Sequence, residues 1–403
     1  MFSKRYINTI ALRTAMIVPS GSFNASKSDR SMIDGSAQDN QPAYVAPVTK
    51  KLHKTVRLCQ STSKSRRTSV LLITGFLAAL FTMDLSRATH ARAQEQWQQL
   101  QDMPVGKWEA GTVVLDDQMY FFGGYSAGVK SSKRCDVFDV KKNSWRRLQD
   151  LPSAITHMNM VLDGRTVWFA GGFKDGYKGH TIAEVWSYDI DKDRFTAAPL
   201  LPETRGGGGL ALVDRKLHYM GGVKADRDTD AGDHWVLDLD KWAKGAARWV
   251  TAAPLPAPRN QFSTVTLDGK IHVIGGQLHH DSVQIDQARV DIYDPKTDSF
   301  SRGPQLPKGH SHSEGGTFIN GGLIYMAGGH TTPEGGRKQI DADILALAPG
   351  SVWEVVGRLP MPLSSPAAAI IRGKLIIAGG SPNGRSVQGK MWMRDWPGSA
   401  KGN

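Results

Sequence analysis

Residues 263–276 read STVTLDGKIHVIGG. A short β-branched and apolar run is followed by Asp268-Gly269, then by IHVI, then by a glycine pair. Asp-Gly supplies the positive φ of a two-residue hairpin turn. The stretch therefore predicts a β-hairpin whose second strand runs straight into Gly275-Gly276. The same phrase recurs along the chain. Gly-Gly pairs stand at 123–124, 171–172, 221–222, 275–276, 328–329 and 379–380, in steps of 48, 50, 54, 53 and 51 residues. Each closes an apolar strand: MYFF (119–122), VWFA (167–170), LHYM (217–220), IHVI (271–274), LIYMA (323–327) and LIIA (375–378). A turn signal precedes each strand, at Asp116-Asp117, Asp163-Gly164, Asp214-Arg215, Asp268-Gly269, Asn320-Gly321 and Arg372-Gly373.

Outward from each glycine pair the pattern continues. After about ten residues comes a third strand, as in CDVFDV, EVWSYDI, HWVLDL and RVDIYDP. A fourth carries one large aromatic, at Trp145, Phe195, Trp249, Phe300 or Trp353. A Leu-Pro then ends the unit, at 151–152, 201–202, 255–256, 306–307 and 359–360. The last unit has a third strand around 390–396 and no room for a fourth. Trp97 and Met103-Pro104 supply that missing piece at the other end of the folded region. A fixed period of about 50 residues with four strands per unit indicates a propeller. The expectation is an all-β fold of six blades, four antiparallel strands each, the ring closed by an amino-terminal strand that joins the last blade. The Gly-Gly, aromatic and Leu-Pro spacing over about residues 94–396 resembles the kelch family.

The net charge of +12 does not mark a nucleic-acid protein. Residues 1–93 hold 14 Lys/Arg against 4 Asp/Glu, and the rest of the chain holds 36 against 34. The repeat region is near neutral and carries no basic stripe with interleaved aromatics, which nucleic-acid binding needs. Of the two cysteines, Cys59 and Cys135, only the second lies in the repeats, so no internal disulfide or cysteine zinc motif is expected there.

Val70–Met83 is a 14-residue apolar run preceded by Lys64, Arg66 and Arg67 and followed by Ala91-Arg92-Ala93. Positive flank, short apolar stretch and small-residue cleavage site are the parts of a secretory signal. The run is too short for an ordinary membrane span, which needs about 20 residues. Residues 64–93 are thus expected to be a signal peptide and 94–396 the propeller. Residues 1–63 are expected to be disordered or to precede the true start, and 397–403 to be a tail. The expected location is periplasmic or extracellular, as a monomer without stable membrane insertion.

Strand alternation places the crossings between units and the loops after each glycine pair on one face. Those loops are the long ones, and function concentrates in long loops on a rigid scaffold. Three residues after each Leu-Pro or Met-Pro stand Lys107, Ile155, Arg205, Arg259, His310 and Leu363. Two further on stand Glu109, His157, Gly207, Gln261, His312 and Ser365. The loop after Gly276 brings His279, His280 and Asp281, and the next one begins at His330. The candidate ligand-binding set is His157, Arg205, Arg259, His279, His280, Asp281, His310, His312, Glu314 and His330. Two uses stand open for the arginines: satisfying loop carbonyls, or clamping a carboxylate bidentately. The histidines fit loop hydrogen bonding, a polar ligand site or a metal. No metal or other cofactor is assigned, because the spacings lie in loops.

The sequence has no P-loop and no His-Glu-x-x-His helix. The expected function is therefore an exported binding module for a glycan, peptide or protein. The chain also looks like periplasmic sialic acid mutarotases in size, blade number and export. That resemblance implies a paired acid and base at an anomeric centre, with Arg205 and Arg259 on a carboxylate and Glu314, His157 or His312 in proton transfer. Copper radical oxidases, another kelch-bearing class, need a cysteine at the channel, whereas Cys135 opens a third strand.

Overall fold

The computed structural model describes residues 96–396. The expected signal peptide, the segment before it and the tail lie outside the described residues. The fold is all-β, and the helical pieces among the described residues are the short turns Leu239–Trp242 and Glu314–Gly316. No helix there is long and apolar enough to cross a membrane.

Six four-stranded antiparallel sheets follow one another along the chain. In the fourth, Ser263–Leu267, Lys270–Ile274, Val290–Asp294 and Ser299–Arg302 pair in sequence order from the inside outward. The sixth takes its outer strand from the other end of the described chain: Gln98 pairs with Met393 and Gln99 with Trp392. The hairpin turns sit where expected in four units. In the second and fifth the register pairs Thr166 with Asp163 and Leu323 with Asn320. The turn residues are thus Gly164-Arg165 and Gly321-Gly322, one later than the Asp-Gly and Asn-Gly signals suggest. The strand register, and not the Asp-Gly or Asn-Gly pair, fixes the turn in these two units.

The glycine pairs are explained by contacts between units. At Gly275, with φ +65°, a β-carbon would collide with the carbonyl of His310 in the next unit. At Gly276, with φ +100°, it would stand 2.7 Å from the carbonyl of Asn260. The second glycine's N–H donates to the next unit's crossing segment in each case: Gly124 to Ile155, Gly172 to Arg205, Gly222 to Arg259, Gly276 to His310 and Gly329 to Leu363. Gly380 donates to Lys107, from the last unit to the first, at 2.8 Å. The core is divided in the same way, into six clusters that each lie between consecutive sheets. Met119, Phe121 and Phe138 of the first sheet share one with Ile371, Ile376 and Met391 of the sixth.

Candidate functional site

The segment entering each sheet passes through six equivalent positions, and all six are left-handed: Glu109, His157, Gly207, Gln261, His312 and Ser365, with φ from +47° to +61°. Only one of them is glycine. The residue just before each position pairs with the residue just after the glycine pair, as in Trp108–Tyr125, Asn260–Gln277 and Ser311–His330. Four of the positions also bond in series through the backbone: Gln261 N–H to Gly207 O, His312 N–H to Gln261 O and Ser365 N–H to His312 O. The framework thus gathers these side chains around one channel mouth, under loops that fold back as two-residue hairpins such as Gln277–Leu278 with Ile285–Asp286.

The mouth is a polar cavity of about 70 Å³ lined by Trp108, Glu109, Tyr125, His157, Tyr177, Arg227, His280, Asp281, Gln284, His312, Lys338 and Gly384. His157 Nε2 stands 2.5 Å from Glu109 Oε2, and His312 Nε2 stands 3.6 Å from Glu109 Oε1. Arg227 lies 4.4 Å over the Phe173 ring and donates to Asp281 at 2.9 and 3.0 Å. His280 Nδ1 is 2.8 Å from Asp281 Oδ1. These partners hold the Asp281 carboxyl well below the usual carboxylate range, with the Arg227 hydrogen bond the largest cause. Burial, aided by His157 and Arg227, pushes the His280 pKa down to about 3. Burial also holds His312 neutral.

Below the mouth runs a channel cavity of about 370 Å³, lined by inner-strand residues including Gly111, Asn159, Thr264, Thr317 and Ala369. Glu314 borders both it and a smaller cavity shared with Glu109, His157 and Gln261. Burial pushes the Glu314 pKa up to about 8.

Of the expected site residues, His157, His280, Asp281 and His312 meet in the mouth. His330 lies behind it, stacked on His312 at 4.2 Å and within 3.2 Å of Ser311 Oγ. Glu314 faces the channel. His279 stays on the rim, its side chain 3.7 Å from Asp228 and half-exposed. Arg205, Arg259 and His310 serve the framework. Arg259 is fully buried and donates to the carbonyls of Gly275, Ala257 and Val273, with Asp291 at 2.9 Å. His310 Nε2 is 2.6 Å from Gly328 O, and Lys107 donates to Gly123 O at 3.0 Å. One repeated position thus supplies a polar group to the first glycine's carbonyl in three units. Arg205 instead donates to Glu203, Asp233 and its neighbour's carbonyl, over the Trp235 ring.

Sequence reasoning passed over Glu109, Arg227, Lys338, Tyr125 and Tyr177. A signal existed for Glu109, which occupies the same repeat position as His157 and His312. The others lie in loops of unequal length, where no period points to them.

Comparison with known proteins agrees with this architecture. The Kelch motif family matches residues 109–152 and 258–307. The kelch repeat-containing protein At3g27220 of Arabidopsis thaliana is 26% identical over 343 residues, covering 79% of this chain and 78% of that one. The spermatocyte protein spe-26 of Caenorhabditis elegans is 28% identical over 198 residues, where the match spans only 32% of the nematode protein. The solved structure of YjhT superimposes with a TM-score of 0.61 at 15% identity, covering 74% of this chain and 98% of that one. The chain carries Kelch motifs and is similar in sequence and fold to kelch-repeat proteins.

Proposed function

We propose that the six sheets are the blades of a closed six-bladed propeller, exported to a periplasm or the cell exterior, that binds a small polar ligand at its channel mouth. The Gly380–Lys107 bond and the core cluster shared by the first and sixth sheets support closure. The amino-terminal apolar segment supports export. Kelch propellers as a class serve as protein-interaction scaffolds. The observation that carries the small-ligand reading is the mouth itself. Glu109, His157, His280 and His312 converge in a recess walled by Trp108, Tyr125 and Tyr177 and overhung by Arg227 and Lys338. A few convergent polar groups beside apolar walls are the usual form of a small-molecule site. Aromatic faces suit the C–H faces of a sugar, imidazoles and carboxylates suit its hydroxyls, and Lys338 suits an acidic substituent. The ligand class is therefore a sugar acid.

A catalytic use of the same place has one specific observation behind it. His312 is held neutral while Glu314 keeps its proton to about pH 8, so a base lines the mouth cavity and an acid lines the channel cavity near neutral pH. Such a divergent pair is what sugar mutarotation requires. The test is ligand-observed NMR of the full chain with a panel of neutral sugars and sugar acids, followed by anomer-exchange measurements on those that bind. Saturable binding that weakens at least tenfold in Lys338→Ala is expected. Binding without faster exchange removes the catalytic reading. Absence of binding across the panel overturns the sugar reading and turns attention to protein partners on the same face.

A further inference from the structure

Two of the six left-handed positions are prepared in the same way. The residue before each histidine carries a hydroxyl, and it holds the ring by Nδ1: Thr156 Oγ1 at 2.8 Å from His157 Nδ1, and Ser311 Oγ at 2.8 Å from His312 Nδ1. When Nδ1–H donates to that hydroxyl, the Nε2 lone pair is left for an ion; without an ion, His157 Nε2 must carry the proton that faces the carboxylate 2.5 Å away. Metal-bound imidazoles are oriented in this way by an outer partner. Both Nε2 atoms are turned toward a single carboxylate. His157 Nε2 is 2.5 Å from Glu109 Oε2 and His312 Nε2 is 3.6 Å from Oε1.

The carboxylate is itself enclosed. Glu109 is 9% exposed, and its buried Oε2 has no well-formed hydrogen bond among the described residues, despite the close approach of His157. The rings are braced from behind, His157 by the edge of Phe173 at 4.9 Å and His312 by stacking on His330. The three donor atoms lie within 4.8 Å of one another. An ion with bonds of about 2.0–2.2 Å needs donors roughly 3–3.5 Å apart, which small rotations of these side chains supply.

We propose that this chain binds one divalent first-row transition-metal ion at the channel mouth through His157 Nε2, His312 Nε2 and the Glu109 carboxylate. Two imidazoles and one carboxylate suit such ions and leave coordination positions open. Those positions face the recess lined by Arg227 and Lys338. The ion would take the same Glu109, His157 and His312 that the sugar reading uses, with His312 then a ligand and not a base; the two are separable by experiment, since an ion can bind in a chain that binds no sugar.

The test uses the full chain without a histidine tag, stripped with chelator and titrated with Co²⁺ by visible absorption and with Zn²⁺ by competition. One ion per chain is expected to survive desalting. Glu109→Gln, His157→Asn and His312→Asn are each expected to weaken binding by at least about 100-fold. Asn tolerates the left-handed backbone, so these variants keep the local shape. His279→Ala, on the rim, is expected to change binding less than twofold. Imidazole ¹⁵N shifts of the wild-type protein, with and without Zn²⁺, give a reading that needs no variant: two Nε2 signals are expected to move. The proposal is overturned if no ion is retained at micromolar concentration. It is equally overturned if binding is unchanged in Glu109→Gln and His157→Asn, or if the shifted signals belong to His218 and His234, which pair elsewhere at 3.0 Å. Sugar binding that persists in chelator leaves the previous section intact, whichever way the metal result falls.

Discussion

Replacing Glu314 by Gln tests whether the channel holds a protonated carboxyl. Glu314 begins the short turn Glu314–Gly316, and its buried Oε1 has no hydrogen-bond partner among the described residues. Burial, with Glu109 and Asp286 nearby, raises its pKa from 4.5 to about 8. The folded protein therefore keeps a proton that the unfolded chain releases above pH 4.5. The stabilisation linked to that proton is complete below pH 4.5 and is lost as pH rises through about 8. Between those values stability falls by about 1.4 kcal/mol per pH unit, at most about 5 kcal/mol in all. The residue is partly open to the channel, and water there screens the charge, so about 2 kcal/mol is the lower bound. Gln is the near-isosteric neutral group and removes the titration. Melting of both proteins at pH 5, 6, 7, 8 and 9 measures the difference. Relative to the variant, the wild type is expected to lose about 4–8 °C between pH 5 and 9, at roughly 2 °C per kcal/mol. Parallel curves would refute the reasoning, because they would mean a carboxylate already ionised at pH 5.

Two further outcomes follow from the framework. Gly275→Ala is expected to cost more than about 3 kcal/mol, because a β-carbon there meets the His310 carbonyl across the unit boundary. Gly269→Ala, with similar φ but nothing within 4 Å, is expected to cost about 1 kcal/mol. Equal losses in chemical denaturation would remove the inter-unit explanation. Arg259→Met is expected to cost about 3–5 kcal/mol by leaving Asp291 buried with Arg289 alone. Ligand affinity of the folded variant is expected to stay within threefold, and a tenfold loss would return Arg259 to the binding site.

The fold was legible because its signals are periodic and backbone-driven. A glycine pair between two crowding carbonyls tolerates no substitute, so it recurs in all six units. The strand borrowed from the amino-terminal end was legible as a deficit, a unit with three strands facing a lone strand at the other end. The two displaced turns were not legible. Asp163-Gly164 and Asn320-Gly321 are good turn pairs, yet the strand register places the turn one residue later.

The site was legible only to the extent that it borrows the same period. Position three after each Leu-Pro left two uses open, loop support or ligand contact, because it holds Arg205, Arg259 and His310. Its side chains turn inward, and Lys107, Arg259 and His310 satisfy the first glycine's carbonyl, so the charge there serves the framework. Position five looked mixed, with Glu, His, Gly, Gln, His and Ser. That mixture is the informative feature. A left-handed residue costs about 1–2 kcal/mol when it is not glycine, a cost the structural hairpin turns also meet at Asp116, Asp214, Asp268 and Arg372; glycine at position five would avoid it, as at 207. Five units instead carry a side chain in a conformation that disfavours one. What sets position five apart from those turns is that it aims Glu109, His157 and His312 at a common point, and that convergence is where a ligand should be sought.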